Sequence, residues 1–400
     1  LHAQQNRIRE TIEARIRTVL DHGQYIMGPE IKELESKLTA YVGVKHALGC
    51  ASGTDALLMA LMALGTGPGD AIFTSPFTFI ATAEVICLLG ATPIFVDIDS
   101  RTFNIDPENL EKAIIALKNN DKSLYPLPLT PPVVGSYRHS SHLTSRPLTP
   151  PPSHLTPKAI IPVDLFGLTA DYDAIQAVTD KYDLAVIEDA AQSFGAEFKG
   201  KRACSFGNIA CTSFFPAKPL GCYGDGGMCF TNNDGFADVM DSIRVHGKGN
   251  HKYDNVRVGI NGRLDSLQAA ILIAKFDIFP EEIELRQKVA AGYSRGLGEE
   301  SKVIPPQIPV GYKSSWAQYS VLARDESHRS QLQSRLKKAG IPTAIYYPKP
   351  LHLQTAFSYL GYRQGDFPVS EDCASRIFSL PMHPYLRSED QDKIVRLLHS

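Results

Sequence analysis

From about residue 45 the chain alternates short apolar runs with blocks of helical periodicity, and this alternation limits the fold more than any other feature. Ala71–Thr74, Pro93–Val96, Ala159–Val163 and Leu184–Ile187 read as strands. Thr54–Leu64, Phe77–Leu89, Pro107–Leu117 and Asp171–Lys181 read as helices between them. Boundary residues support the division. Ser52 and Thr54 are candidate N-caps, Pro107 follows Asp106 at a helix start, and Gly65–Asp70 and Gly90 mark turns. Strands apolar on both faces need helices above and below, which implies a mostly parallel sheet in an α/β domain. Ligands of such sheets bind at the carboxyl ends of the strands. After about residue 275 the pattern changes to a charged helix (Pro280–Leu297), a strand (Gln318–Leu322), a polar helix (His328–Ala339) and a strand (Thr343–Tyr346). These predict a smaller α+β domain.

Asn119–Pro157 departs from both patterns. It is dense in Pro, Ser, Thr and His, and contains PLTPP twice (Pro128–Pro132, Pro147–Pro151) and SHLT twice (Ser141–Thr144, Ser153–Thr156). Without a periodic apolar face it reads as an insertion looping out at the surface; a polyproline-like ligand for a partner is the alternative.

A formal net charge of −2 in 400 residues gives no basic field for nucleic acid. No apolar stretch is long enough to span a bilayer, and the charged N-terminal helix lacks the apolar region of a secretory signal. The first residue is not Met, which leaves room for residues upstream. Seven cysteines do not make a disulfide framework, so a cytoplasmic setting is expected. Cys204, Cys211, Cys222 and Cys229 are spaced too widely for a typical zinc site and read as small buried thiols, with no metal expected.

Three segments carry chemistry. In LAVIEDAAQSFG (Leu184–Gly195) a buried strand delivers Glu188 and Asp189 to its carboxyl end. A carboxylate there serves as metal ligand, base or ion-pair partner, or simply caps the next helix. In CTSFFPAKPLGCYGDGG (Cys211–Gly227) Lys218 sits in a stiff turn between Pro216 and Pro219. Such a lysine is either an ordinary loop residue or a desolvated amine with a lowered pKa, able to attack a carbonyl. In CASGTD (Cys50–Asp55) a glycine precedes a helix whose first N–H groups suit a phosphate, a weak signal alone. Neither a P-loop nor a dinucleotide glycine fingerprint is present. A phosphate cradle, a carboxylate and a poised lysine together are what pyridoxal phosphate (PLP) requires. The lysine forms a Schiff base, and the acid keeps the pyridine nitrogen protonated so that the ring draws electrons.

With these segments in view, the chain resembles the DegT-type nucleotide-sugar aminotransferases, which have the aspartate-aminotransferase-like (type I PLP) fold. The likeness runs from about Gln24 to the C-terminus, interrupted by the Pro-rich segment. It rests on GQYIMGPEIKELE (from Gly23), ASGTDAL (from Ala51), FTFIATAE (from Phe77), VIEDAAQSFGA (from Val186), TSFFPAKPLGCYGDGG (from Thr212) and INGRLD (from Ile260). SLPMHPYL (from Ser379) is similar to the subgroup acting on UDP-2-acetamido-3-keto-glucuronic acid, which serves surface polysaccharide (O-antigen) synthesis with glutamate as donor. The resemblance implies a large PLP-binding domain (16–274), a small domain (275–400) and an N-terminal helix (1–15). It implies Lys218 as Schiff-base lysine and proton carrier, and Asp189 as partner of the pyridine nitrogen. Gln192 would bond near the ring hydroxyl, Phe79 would stack on the ring, and Gly53, Thr54 and Ser213 would bind the phosphate. Asn261 would reach the cofactor phosphate of the partner subunit in a homodimer, with Arg263, Tyr346 and Tyr347 holding the nucleotide sugar. The chain departs from the subgroup in reading Tyr346-Tyr347-Pro348 where the relatives read His-Tyr-Pro. Rival expectations are a 4-keto-6-deoxy nucleotide sugar as substrate and a non-catalytic regulatory role on the same fold. A dehydratase relative would carry histidine in place of Lys218.

Overall fold

The computed structural model describes residues 2–129, 154–251, 253–298 and 302–399. Seven strands form the central sheet: β1 (His46–Cys50), β2 (Asp70–Thr74), β3 (Thr92–Phe95), β4 (Thr156–Ile161), β5 (Ala185–Asp189), β6 (Ile209–Ser213) and β7 (Gly227–Thr231). Their order is β1-β7-β6-β5-β4-β2-β3. β7 runs antiparallel to both neighbours; the other pairs are parallel. Side chains alternate between two buried layers. Phe73, Ile160 and Val186 pack in one cluster, while Ile72, Ile161 and Ile187 pack in another on the opposite face. This double burial is why the strands read as continuous apolar runs.

Helices cover both faces. α3 (Gly53–Ala63), α4 (Ala81–Leu88) and α7 (Asp234–Ile243) bury Leu57, Val85 and Met240 against one layer. α5 (Pro107–Asn119) and α6 (Tyr172–Tyr182) bury Ile114 and Ile175 against the other. The caps are local in sequence: the Ser52 hydroxyl accepts from the Asp55 N–H at 3.0 Å, and Asp106 accepts from the Glu108 and Asn109 N–H groups. α1 (His2–His22) lays Ile8 and Ile12 on α8 (Ser266–Phe276), while α2 (Pro29–Val42) buries Leu34 and Leu38 beside β1 and β7. A second core joins α9 (Phe279–Leu297), β8 (Tyr319–Leu322), α10 (Glu326–Lys338), β9 (Ile377–Leu380) and α12 (Ser388–His399), with β8 and β9 antiparallel. α11 (Pro368–Arg376) connects this region to the large sheet. Its Val369 and Ser370 N–H groups donate to the Asp97 carboxylate at 2.9 Å each, and the Ser370 hydroxyl donates at 2.6 Å.

Three expectations are corrected. The helix predicted from Phe77 begins at Ala81; before it, Phe77 turns inward, its N–H bonded to the Ser75 hydroxyl, to pack on Phe103, Phe166 and Tyr347. Thr343–Tyr346 is not a strand and makes one isolated bridge, Ala344 to Ser379, because Pro342 and Pro348 remove ladder donors on either side. The Pro-rich segment is not surface loop over its whole length. Tyr125 and Leu127 are buried in the core, the Tyr125 hydroxyl accepts from the Asp97 N–H at 2.8 Å, and Leu129 N–H donates to Leu360 C=O. At its other end, Thr156 and Pro157 already belong to β4. Residues 130–153, including most of both repeats, lie outside the described residues.

Candidate active site

The carboxyl ends of β5 and β6 set the site. β5 ends on Asp189, which is 4% exposed. Its Oδ2 accepts from the Thr82 hydroxyl at 2.8 Å, and its Oδ1 accepts from the Ala191 N–H at 3.1 Å. Burial raises the Asp189 pKa, while the Thr82 and Ala191 bonds and the charge of Lys218 act against that rise. β6 ends on Ser213, and a tight loop follows in which the Lys218 N–H donates to Phe215 C=O at 2.8 Å. The Lys218 side chain is half-buried, and among the described residues its amine forms no ion pair within 4 Å. Burial lowers its pKa, opposed by the Asp189 carboxylate. An amine so depressed exposes its lone pair at neutral pH more readily than a surface lysine does.

Gln192 is held from three sides. Its Oε1 accepts from the Phe166 N–H at 2.8 Å, its Nε2 donates to the Tyr347 hydroxyl at 3.2 Å, and its carbonyl accepts from the Ser315 hydroxyl at 3.1 Å. Phe166 makes its bond from a left-handed conformation with φ +58° inside a single 3-10 turn. Tyr347 packs edge-on to Phe77 and 6.3 Å from Phe79 between centroids. Phe79 is 55% exposed, an aromatic face left open beside the cleft. Tyr346 is partly exposed and adjoins Tyr347 at 6.0 Å.

The expected phosphate site draws on two elements pressed together. Gly53 opens α3 against Ser213, and a Cβ on Gly53 would stand 2.7 Å from the Ser213 Cβ. Any side chain there would fill the space. The Ser52 cap satisfies only Asp55, so the Gly53 and Thr54 N–H groups keep the orphan status of a helix start. The Ser213 Oγ accepts from the Phe215 N–H at 3.2 Å, which leaves its own O–H available to donate. Two backbone donors, a hydroxyl, a buried carboxylate and an unpaired amine therefore converge, and this set fits PLP: an anion at one end, a protonated ring nitrogen at the other, an aldehyde at the lysine.

Asn261 and Arg263 run beside the segment that leads into Gly53: Gly262 C=O accepts from the Ala51 N–H at 3.1 Å, and Arg263 bridges Cys50. With Asp265, Gln268, Gly224 and Asp225 they line a hollow of about 400 Å³ that includes neither Lys218 nor Asp189. Thr82 was missed by sequence reasoning. It lies in α4, 107 residues from Asp189 in sequence, and only the fold joins them. Asp164 and Glu188 were not assigned roles either. Both are fully buried behind Asp189: Asp164 accepts from Ala170 N–H, Tyr172 hydroxyl and Ser193 hydroxyl, and Glu188 from Cys204 and Phe206 N–H. Burial raises both, Asp164 to about 7. Cys204, Cys211, Cys222 and Cys229 are free thiols buried in the core.

A profile described as the DegT/DnrJ/EryC1/StrS aminotransferase family matches residues 6–119 and 145–399. The chain belongs to this family. It is a transaminase, and the cofactor of the family's chemistry is PLP. The unmatched residues 120–144 fall inside the Pro-rich segment. The chain is 48% identical over 386 residues to UDP-2-acetamido-2-deoxy-3-oxo-D-glucuronate aminotransferase of Pseudomonas aeruginosa, covering 96% of this chain and 94% of that one. It is 42% identical to a pleiotropic regulatory protein of Geobacillus stearothermophilus, covering 96% and 94%. A solved DegT/DnrJ/EryC1/StrS aminotransferase from Brucella abortus superimposes with a TM-score of 0.88 at 46% identity, covering 99% of this chain and 96% of that one. The expected family, α/β fold and transaminase activity are borne out. The rival non-catalytic reading gives way to the enzymatic one.

Proposed function

We propose that the enzyme moves an amino group from glutamate to the 3-keto position of a UDP-linked 2-acetamido uronic sugar in the cytoplasm, supplying a surface polysaccharide, and that it works as a homodimer. The substrate class follows the Pseudomonas aeruginosa relative, similar over 96% of the chain. The observation that carries the catalytic assignment is the buried Asp189 carboxylate at the end of β5 set against the half-buried, unpaired Lys218 amine in the loop after the neighbouring β6.

When bound, PLP supplies an electron sink that acidifies the proton on the carbon bearing nitrogen. The residues of this chain do the rest. Gly53 and Thr54 N–H groups and the Ser213 hydroxyl hold the phosphate. The Asp189 carboxylate accepts the ring N–H, and Thr82 and Ala191 keep that carboxylate ionised and aimed. Gln192, fixed by Phe166, Ser315 and Tyr347, directs its amide along the ring edge. Phe79 covers the exposed face and excludes water. The Lys218 Nζ would take the proton from the donor carbon and return it to the carbon on the far side of the nitrogen, and would carry a proton the opposite way for the keto-sugar. Tyr346 and Tyr347 contact the nucleotide sugar, and Arg263 reaches it from the hollow it shares with Asn261. Asn261 serves the partner's phosphate site, and it faces a hollow whose lining does not include Lys218 of its own chain. Exposed Val256 and Val258 nearby suit a surface covered by a second copy.

The test is the visible spectrum of the PLP-loaded protein. Glutamate should remove the band of the lysine-bound cofactor, and the UDP-3-keto uronic sugar should restore it. Restoration by a 4-keto-6-deoxy nucleotide sugar alone would move the substrate assignment, with Tyr346 the residue to examine. Turnover by Lys218→Ala at the wild-type rate would refute the lysine assignment.

A further inference from the structure

Lys275 lies in the last turn of α8 and is 1% exposed. Its ammonium donates to the carbonyl of Gly221 and stands 4.9 Å above the ring of Tyr223. Seven residues earlier, two turns back on the same helix, the Gln268 Oε1 accepts from the Tyr223 N–H at 2.9 Å. One face of α8 thus grips the outgoing limb of the loop that carries Lys218. That loop closes on itself: Lys218 N–H bonds Phe215 C=O and Cys222 N–H bonds Phe214 C=O, both at 2.8 Å. A Cβ on Gly221 would come 2.6 Å from the Phe215 oxygen and 2.8 Å from the Pro216 oxygen, so the limb lies directly against the start of the loop. The Gly221 carbonyl, three residues after Lys218, is where α8 takes hold of this ring.

A buried ammonium is a poor choice for holding a fold together. Among the described residues no carboxylate lies within ion-pair distance of Lys275. Glu282, whose charge acts on it from farther off, already accepts from Gln4 at 2.7 Å and from the Tyr385 hydroxyl at 2.6 Å. Burial pushes the Lys275 amine down to about 8, against the opposing pull of Glu282 and Cys222. An apolar side chain of similar length would fill the site without that desolvation. What it would lack is the donor to Gly221.

We propose that Lys275 is a positioning residue for Lys218: by holding the Gly221 carbonyl it fixes the loop that aims the Lys218 amine toward Asp189. This rests on the reading of Lys218 as the cofactor lysine. Displacement of a reacting atom by even one ångström lowers rates by up to about a hundredfold, so the effect should be kinetic rather than global.

The test compares wild type, Lys275→Met and Lys275→Arg as full-length, cofactor-free proteins. PLP is added, samples are reduced with borohydride at timed intervals, and the labelled lysine is mapped by mass spectrometry; Tm is measured in parallel. Lys275→Met should keep or raise Tm while labelling Lys218 at least about tenfold more slowly. Lys275→Arg, which still offers a donor to Gly221, should recover most of the rate. Labelling of Lys218 in Lys275→Met within twofold of wild type would overturn the proposal. So would a slowed rate that tracks a fallen Tm and that arginine does not restore. Label on a lysine other than Lys218 in the wild type would overturn the cofactor-lysine assignment and this inference with it.

Discussion

At the scale of single residues, Asp189 depends on a donor that nothing near it in sequence announces. Thr82→Val keeps the shape of the side chain and removes the O–H. A hydrogen bond to a charged group contributes about 1.5–3 kcal/mol, so PLP affinity and kcat/KM should fall roughly tenfold or more; cofactor titration by fluorescence and steady-state kinetics check this. The acids behind Asp189 give a pH signature. Asp164 is raised to about 7 in the folded protein, against an unfolded value of about 4. As pH rises through that window the unfolded chain releases its proton while the folded one keeps it. The contribution to stability is therefore complete below about 4 and lost by about 7, with a slope of up to about 1.4 kcal/mol per pH unit for one proton. Asp164→Asn can still accept from Ala170 and Tyr172, and Tm measured between pH 5 and 7 should fall less steeply with pH in that variant. Lys218 and Asp189 were legible in the sequence because each carries a local mark: one is bracketed by prolines, the other ends an apolar strand before a small-residue turn. Thr82, Asp164 and Lys275 carry no such mark, since their roles come from neighbours far along the chain.

At the scale of elements, most helices and strands were legible because caps and double-sided burial are local properties. Failures came where long-range packing overrode periodicity, as at Phe77, drawn into an aromatic cluster, and at Thr343–Tyr346, bracketed by prolines. α11 carries a local start signal in Pro368, yet the acceptor for its first amides, Asp97, comes from 272 residues away. Asp97→Ala removes that cap, and loss of a cap costs about 0.5–2 kcal/mol. Urea unfolding should show a lower midpoint by a corresponding amount, with far-UV circular dichroism of the folded protein unchanged. The Pro-rich segment divides in the same spirit. Replacing 130–153 by a short Gly/Ser linker should leave transaminase activity within about twofold, since Leu129 and Thr156 remain anchored. Extending the deletion back to 121 removes buried Tyr125 and Leu127, each worth about 1.5–3 kcal/mol of apolar burial, and should lower Tm clearly.

At the scale of the whole molecule, a phosphate site shared between two copies makes a prediction about assembly. Lys218→Ala and Asn261→Ala should each be impaired alone. Mixed and reassembled, they should regain activity, because a heterodimer rebuilds one complete site from the intact Lys218 of one chain and the intact Asn261 of the other. Activity of the mixture no greater than the sum of the separate variants would refute a shared site. The two regions of one chain also communicate through Asp97. The amides of Val369 and Ser370 are locked to an acceptor that lies just past the end of β3 in the large sheet. They can trade hydrogen for deuterium only when α11 parts from that sheet, whereas amides further along the helix answer to fraying of the helix alone. Those two positions are thus a native clock for how often the two regions part, one that can be timed with and without cofactor and needs no attached label.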